Sequence, residues 1–139
     1  MQTNEAYVEA GSLVRDMDQA TQRVGLATTL GGCATVGVAG LTLGGGEGIL
    51  MSRFGAACDN LWSAQMVLVD GRQVEVSHDS NPDLFWAIRG GGANFGVVTA
   101  TRILASSTHQ RACGCADLSR RSHSGAILRF CQVLRIGFR

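Results

Sequence analysis

The sequence predicts an α+β fold, and three observations predict it. Segments with period-two alternation stand beside segments of helical period. An Asp70-Gly71 pair joins two alternating runs as a hairpin. The order strand, helix, glycine loop, hairpin, helix, glycine loop, strand lacks the steady βαβ alternation of a doubly wound sheet. With 139 residues, 45% of them hydrophobic, the chain supports one domain or part of one.

Ala6–Gly11 alternates and carries Tyr7 and Val8, which predicts a short strand. Ser12 is the expected N-cap of a helix to Val24, with Leu13, Met17, Ala20 and Val24 on its inner face and Gly25 at its C-terminal stop. In residues 31–48, GGCATVGVAGLTLGGGEG, nearly half the positions are glycine. At roughly 1 kcal/mol lost per glycine, the stretch is expected not to be a helix interior but backbone that turns tightly or approaches something closely. Ser63–Ser77 predicts a hairpin about a two-residue turn at Asp70-Gly71. In NPDLFWAIRGG, Asn81 caps a helix that has Pro82 at its first position. Leu84, Phe85 and Ile88 face inward, Trp86 is a core aromatic beside Phe85, and Gly90 ends the helix. Gly90–Gly96 is a second glycine loop, and GVVTATRIL a final strand.

Composition removes several function classes. All twelve basic residues are arginine, so a Walker-type phosphate loop and Schiff-base chemistry, which need lysine, are excluded. Net charge of +1 and the absence of a recognition motif give no nucleic-acid partner. No apolar run is long enough for a membrane span, and the first residues lack the pattern of a signal peptide. Charge is uneven. Residues 1–106 carry −4, whereas residues 107–139 carry +5 and three of the five cysteines. In that tail Cys113, Cys115, His123 and Cys131 invite a zinc reading, but the C-x-C pair has the wrong spacing and no second pair exists.

Two glycine-rich loops about forty-five residues apart could converge on one ligand. Bare backbone exposes N–H groups that favour anionic oxygens, and a pyrophosphate is a natural guest. The dinucleotide fingerprint does not fit, because Met51 stands where Gly46-Glu47-Gly48 needs its third glycine. Structural turns in a β-rich domain explain such loops equally well.

TVGVAGLTLGGGEG (35–48), FGAACDNL (54–61), VLVDGR (67–72) and NPDLFWAIRGGGANFGVVT (81–99) stand in one order. Together they closely resemble the FAD-binding domain, of p-cresol methylhydroxylase type, of the flavin-linked oxidases that include vanillyl-alcohol oxidase and berberine bridge enzyme. The resemblance runs from about Ala6 to about Arg102. It implies a partial two-subdomain α+β FAD-binding domain over 1–104, mainly the second subdomain, and a divergent Arg/Cys-rich tail over 105–139, out of frame or disordered. It also implies backbone contacts to FAD from Thr35, Val36, Gly37, Gly40, Gly44 and Gly45 along the flavin and pyrophosphate, and from Gly96, Val97 and Val98 at the adenine end. Cys33 stands where berberine bridge-type members bond the flavin ring through sulfur, which implies covalent FAD by thiolate attack. The bland alternative for Cys33 is a small buried cysteine filling space. Leu41 departs from the histidine those members often carry.

Other positions have structural readings. Cys58 packs, Asp59 and Asn60 pin the loop that follows, Arg89 pairs with a backbone carbonyl or an acid of the second glycine loop, and His78 is exposed. The RGGGH-like loop of the family's first subdomain and its substrate domain have no counterpart in these residues, so no catalytic residue is assigned. The resemblance thus implies a fragment of an FAD-dependent oxidoreductase that oxidises a small organic substrate with oxygen as acceptor. Its expected partners are FAD and, in the intact parent, that substrate, without nucleic acid or membrane. A non-catalytic remnant or partner-binding pseudo-domain is the alternative from another class. A reductase of cell-wall precursors is a third, which the run at 83–99 fits less well.

Overall fold

A computed structural model describes residues 4–107. The cysteine- and arginine-rich tail positions Cys113, Cys115, His123 and Cys131 lie outside those residues. The centre is a four-stranded antiparallel sheet in the order β1-β5-β3-β4, from β1 (Glu5–Glu9), β3 (Leu61–Val67), β4 (Gln73–Ser77) and β5 (Val97–Leu104). Alternation decides which face is buried. Ala6 and Val8 of β1, Ala64 and Met66 of β3, Val76 of β4 and Val98, Ala100 and Ile103 of β5 lie in the interior. That face packs against α1 (Val14–Arg23), α2 (Val38–Leu43) and α4 (Pro82–Ile88), which contribute Met17, Val38, Leu43, Phe85 and Ile88 to one continuous core. Each such large side chain contributes about 1.5–3 kcal/mol by leaving water. A second, two-stranded pair joins β2 (Leu26–Ala27) to β6 (Ser106–Ser107). Short α3 (Met51–Phe54) and a 3₁₀ turn (Ala57–Asn60) lead into β3. Mixed helix and antiparallel sheet is the α+β class expected.

Four local expectations are corrected. The first helix begins at Val14, with Leu13 rather than Ser12 as its N-cap, and buries Val14, Met17 and Thr21. The cause is an isolated bridge between Leu13 and Gly37, flanked by Val14 N–H to Val36 carbonyl at 2.8 Å and Val38 N–H to Ser12 carbonyl at 2.9 Å. The bridge holds Leu13 extended and turns the helix one position. The Asp16 carboxylate then accepts the Leu13 N–H at 3.3 Å, and Val24 is left exposed beside Gly25, whose φ is +72°.

The first glycine stretch does contain a helix, α2. Its Val38, Ala39, Thr42 and Leu43 are buried, and Gly40 takes the exposed side, so tertiary packing outweighs the propensity cost of one glycine. The hairpin turn is longer than two residues. Val67 pairs with Gln73, and the five residues between are closed by Leu68 N–H to Arg72 carbonyl and Gly71 N–H to Leu68 carbonyl, each 2.9 Å. The Asp70 carboxylate stiffens the loop by accepting Arg72 N–H at 3.0 Å and Nε at 2.6 Å. Finally, Trp86 is 79% exposed, whereas Phe85 is 2% exposed. Consecutive helical residues lie about 100° apart, and the seven-residue α4 directs its core face through Phe85 and Ile88, with Leu84 half-buried at its margin.

Candidate functional site

The first glycine stretch leaves β2 and turns at Cys33–Val36, where Val36 N–H reaches the Cys33 carbonyl at 3.3 Å. Arg15 N–H holds the Ala34 carbonyl at 3.1 Å, so α1 fixes the turn from behind. Cys33 and Thr35 are exposed. The Cys33 Sγ lies 3.5 Å from Thr35 Oγ1. This hydroxyl, and then the Thr35 backbone N–H, lower the Cys33 pKa below the ordinary thiol value by stabilising the thiolate. Cys58 contrasts with it, because burial and the Asp59 charge push its thiol up. Cys33 is therefore an exposed, thiolate-prone sulfur and not a buried filler.

After α2 the chain turns back at Gly45 and Gly46, with φ of +103° and +77°, conformations L side chains rarely adopt. The Gly45 and Gly46 carbonyls accept N–H groups of Cys58 and Ala57, each at 2.9 Å. The second glycine loop arrives at the same place, where Gly90 N–H and Gly92 N–H both donate to the Leu43 carbonyl at 3.0 and 2.9 Å. The two glycine segments thus meet at the C-terminal end of α2.

The structure brings together only part of the expected set. Cys33, Thr35, Val36, Gly37, Gly40, Gly44 and Gly45 follow one continuous path from the turn through α2. Gly96, Val97 and Val98 belong to another element, at the start of β5 beside the end of β3. A Cβ at Gly96 would lie 2.8 Å from the Val67 carbonyl oxygen, which is a packing reason for that glycine. Val98 is a core side chain, and Val97 is 67% exposed.

The path has the features a large anionic cofactor requires. At Gly32, Gly37, Gly40 and Gly45 a Cβ would meet no atom within 4 Å, so nothing inside the described structure demands glycine there for space. Each bare position has open space where a Cβ would stand, and the exposed Cys33 belongs to the same stretch of chain. A flavin nucleotide fits that combination: backbone against its polar chain, and Cys33 within the same path for its ring.

The other expectations divide. Asn60 Nδ2 donates to the Phe54 and Ala56 carbonyls at 3.1 and 2.8 Å, and the Asp59 carboxylate accepts the Ala56 N–H at 2.9 Å, so both pin the segment before them and not one that follows, which is β3. Arg89 donates Nε to the Cys58 carbonyl at 2.9 Å and places Nη2 3.4 Å from Asp59 Oδ1. It pairs with a carbonyl and an acid, but those of the 3₁₀ turn and not of the second glycine loop. His78 is exposed, with its ring edge-on to Phe85. Sequence reasoning missed the Leu43 carbonyl, the acceptor on which both loops converge, because a backbone acceptor leaves no side-chain signature. It also missed Thr29, whose hydroxyl holds the Gly55 carbonyl at 2.7 Å. No three His, Cys, Asp or Glu side chains cluster as a metal site needs, and no helix is long and apolar enough to cross a membrane, among the described residues.

Comparison with known proteins shows the family. The FAD binding domain family matches residues 2–77. An FAD-linked oxidoreductase of Aspergillus terreus, pgmH, is 52% identical over 91 residues, covering 66% of this chain and 18% of that protein. The (R)-6-hydroxynicotine oxidase of Paenarthrobacter nicotinovorans is 39% identical over 100 residues, covering 72% of this chain and 22% of that protein. The chain thus spans about a fifth of the length of these relatives. The glucooligosaccharide oxidase of Acremonium strictum, whose structure concerns a 6-S-cysteinyl, 8α-N1-histidyl FAD, superposes with a TM-score of 0.71 at 34% identity, over 74% of this chain and 22% of that one.

Proposed function

We propose that this chain, which belongs to the FAD binding domain family, supplies the cofactor-holding part of a flavin-dependent oxidoreductase that oxidises a small organic substrate with oxygen as the electron acceptor. One observation carries the reading: the path Cys33–Gly45 combines an exposed, thiolate-prone cysteine with glycines whose missing Cβ atoms leave open space. In this role the backbone of Thr35, Val36, Gly37, Gly40, Gly44 and Gly45 holds the polar chain of FAD. Gly96, Val97 and Val98 form the adenine end. Cys33 presents its sulfur to the flavin ring, and the Thr35 hydroxyl beside it favours the nucleophilic thiolate. Bound FAD supplies the two-electron acceptor, and a thioether link makes it a stronger oxidant. Residues 1–104 form this part, and the buried Ala105 and the β6 residues Ser106 and Ser107, paired with β2, continue it. Substrate and oxygen are the partners of the whole oxidoreductase; the relatives' names, a hydroxynicotine oxidase and a glucooligosaccharide oxidase, support a small organic molecule as the substrate.

The test is reconstitution of the full chain with FAD. Flavin fluorescence should change on titration, and thermal stability should rise by about 2.7 kcal/mol at a hundredfold excess over Kd. A fraction of the flavin should remain with the polypeptide on a denaturing gel, and Cys33→Ser should remove that fraction while leaving reversible binding. A chain that neither alters flavin fluorescence nor gains stability would support the remnant reading instead.

A further inference from the structure

Arg89 lies outside the path that faces the cofactor, yet it closes a ring of contacts around it. Starting at Leu43, its carbonyl accepts Gly90 N–H and Gly92 N–H at 3.0 and 2.9 Å. Two residues on, the Gly45 carbonyl accepts Cys58 N–H, and the Gly46 carbonyl accepts Ala57 N–H, each at 2.9 Å. From there the Cys58 carbonyl accepts Arg89 Nε at 2.9 Å, and Asp59 Oδ1 lies 3.4 Å from Arg89 Nη2. Arg89 is the residue before Gly90, so the ring returns to its start. All links but those of Arg89 are backbone bonds, so Arg89 is the only side chain whose replacement opens this circuit. Its guanidinium also sits 5.4 Å from the centre of the buried Phe85 ring, which fixes the direction of the fork. The Arg89 side chain is 26% exposed and its bond to the Cys58 carbonyl is partly shielded from water, whereas the Asp59 contact is open to it.

We propose that Arg89 is a positioning residue for the flavin cofactor: by tying the 3₁₀ turn at Cys58-Asp59 to the second glycine loop, it holds the Gly44-Gly45 turn at the end of α2 in its cofactor-holding shape. The inference rests on the FAD reading above. Arg is suited to the task because its planar fork reaches a carbonyl and a carboxylate at once, which an ammonium cannot do in the same geometry.

The test compares the full chain with Arg89→Gln and Arg89→Lys in three measurements: FAD affinity by fluorescence titration, visible circular dichroism of the flavin at saturation, and hydrogen exchange of the Gly90 and Gly92 amides without FAD. Arg89→Gln should weaken FAD binding about tenfold, the scale of losing a charged hydrogen bond. It should also speed exchange at both amides and alter the flavin's dichroism. Arg89→Lys keeps a cation for Asp59 but loses the fork, and should fall between; it carries the test if the glutamine variant does not fold. Unchanged dichroism and affinity in a folded variant would overturn the proposal while leaving the FAD reading intact. An unaltered chain that fails to bind FAD would overturn both.

Discussion

Gly37 and Gly40 on the Cys33–Gly45 path and Gly46, Gly48 and Gly91 in the same two glycine segments are alike in sequence and opposite in their surroundings. At Gly37, Gly40 and Gly45 a Cβ would enter open space. At Gly48 and Gly91 it would run into the Leu30 and Ala87 carbonyl oxygens, and at Gly46 it would lie 2.6 Å from the Ala57 Cβ. One set allows the chain to pack on itself, and the other leaves room beside the chain. Glycine richness alone therefore says little about a ligand; what matters is whether the missing side chain's space is filled from within the protein.

Substitution separates the two sets. Gly48→Ala should cost about 3 kcal/mol, since the obstacle is backbone and cannot rotate away, and lower the melting midpoint by roughly 10–20 °C. A midpoint unchanged within error would break the contrast from the packing side. A Cβ at Gly40 meets nothing within 4 Å, so Gly40→Val should leave stability within about 1 kcal/mol while weakening FAD binding by about tenfold. Equal FAD affinity in that variant would break the contrast from the ligand side.

The two described cysteines sharpen it at the level of charge. Cys33 has its pKa lowered by the Thr35 hydroxyl and N–H, and Cys58 has its pKa raised by burial and Asp59. As pH rises, the Cys33 thiolate forms first, so peptide-resolved alkylation should label Cys33 at lower pH than Cys58. Thr35→Val removes the largest stabilising contact and should move the Cys33 profile to higher pH. Coincident profiles for the two cysteines would contradict the assigned environments. The smallest effect is expected at Trp86, where replacement by Ala should change stability by no more than about 0.5 kcal/mol, against about 3–5 kcal/mol for Phe85→Ala. Denaturant midpoints of the two variants measure that difference directly.

Much of the fold was legible in the residues. Period-two runs located all four strands of the main sheet, Gly25 marked the end of α1, and Pro82 after Asn81 marked the start of α4, because these signals arise from local backbone sterics. The motifs from Thr35 to Thr99 sufficed to place the chain among FAD-binding domains, and Cys33 was singled out before its surroundings were known. The misses share a cause. The inner face of α1, the helix within the glycine stretch, the length of the 68–72 loop and the exposure of Trp86 depend on partners far along the chain. The Leu13–Gly37 bridge rotates α1, and burial of Val38 and Leu43 forms α2 despite Gly40.

The sequence by itself determined the α+β class, the order of the four main strands and the kinship with flavin oxidoreductases, since local propensity and motif spacing carry all of these. Only the tertiary structure decided which glycines are bare toward open space, that the two glycine segments meet at the Leu43 carbonyl, and that Arg89 closes their ring. Those are contacts between backbone groups distant in the chain. A carbonyl is the same in every residue, so its role becomes visible only when folding brings a donor to it.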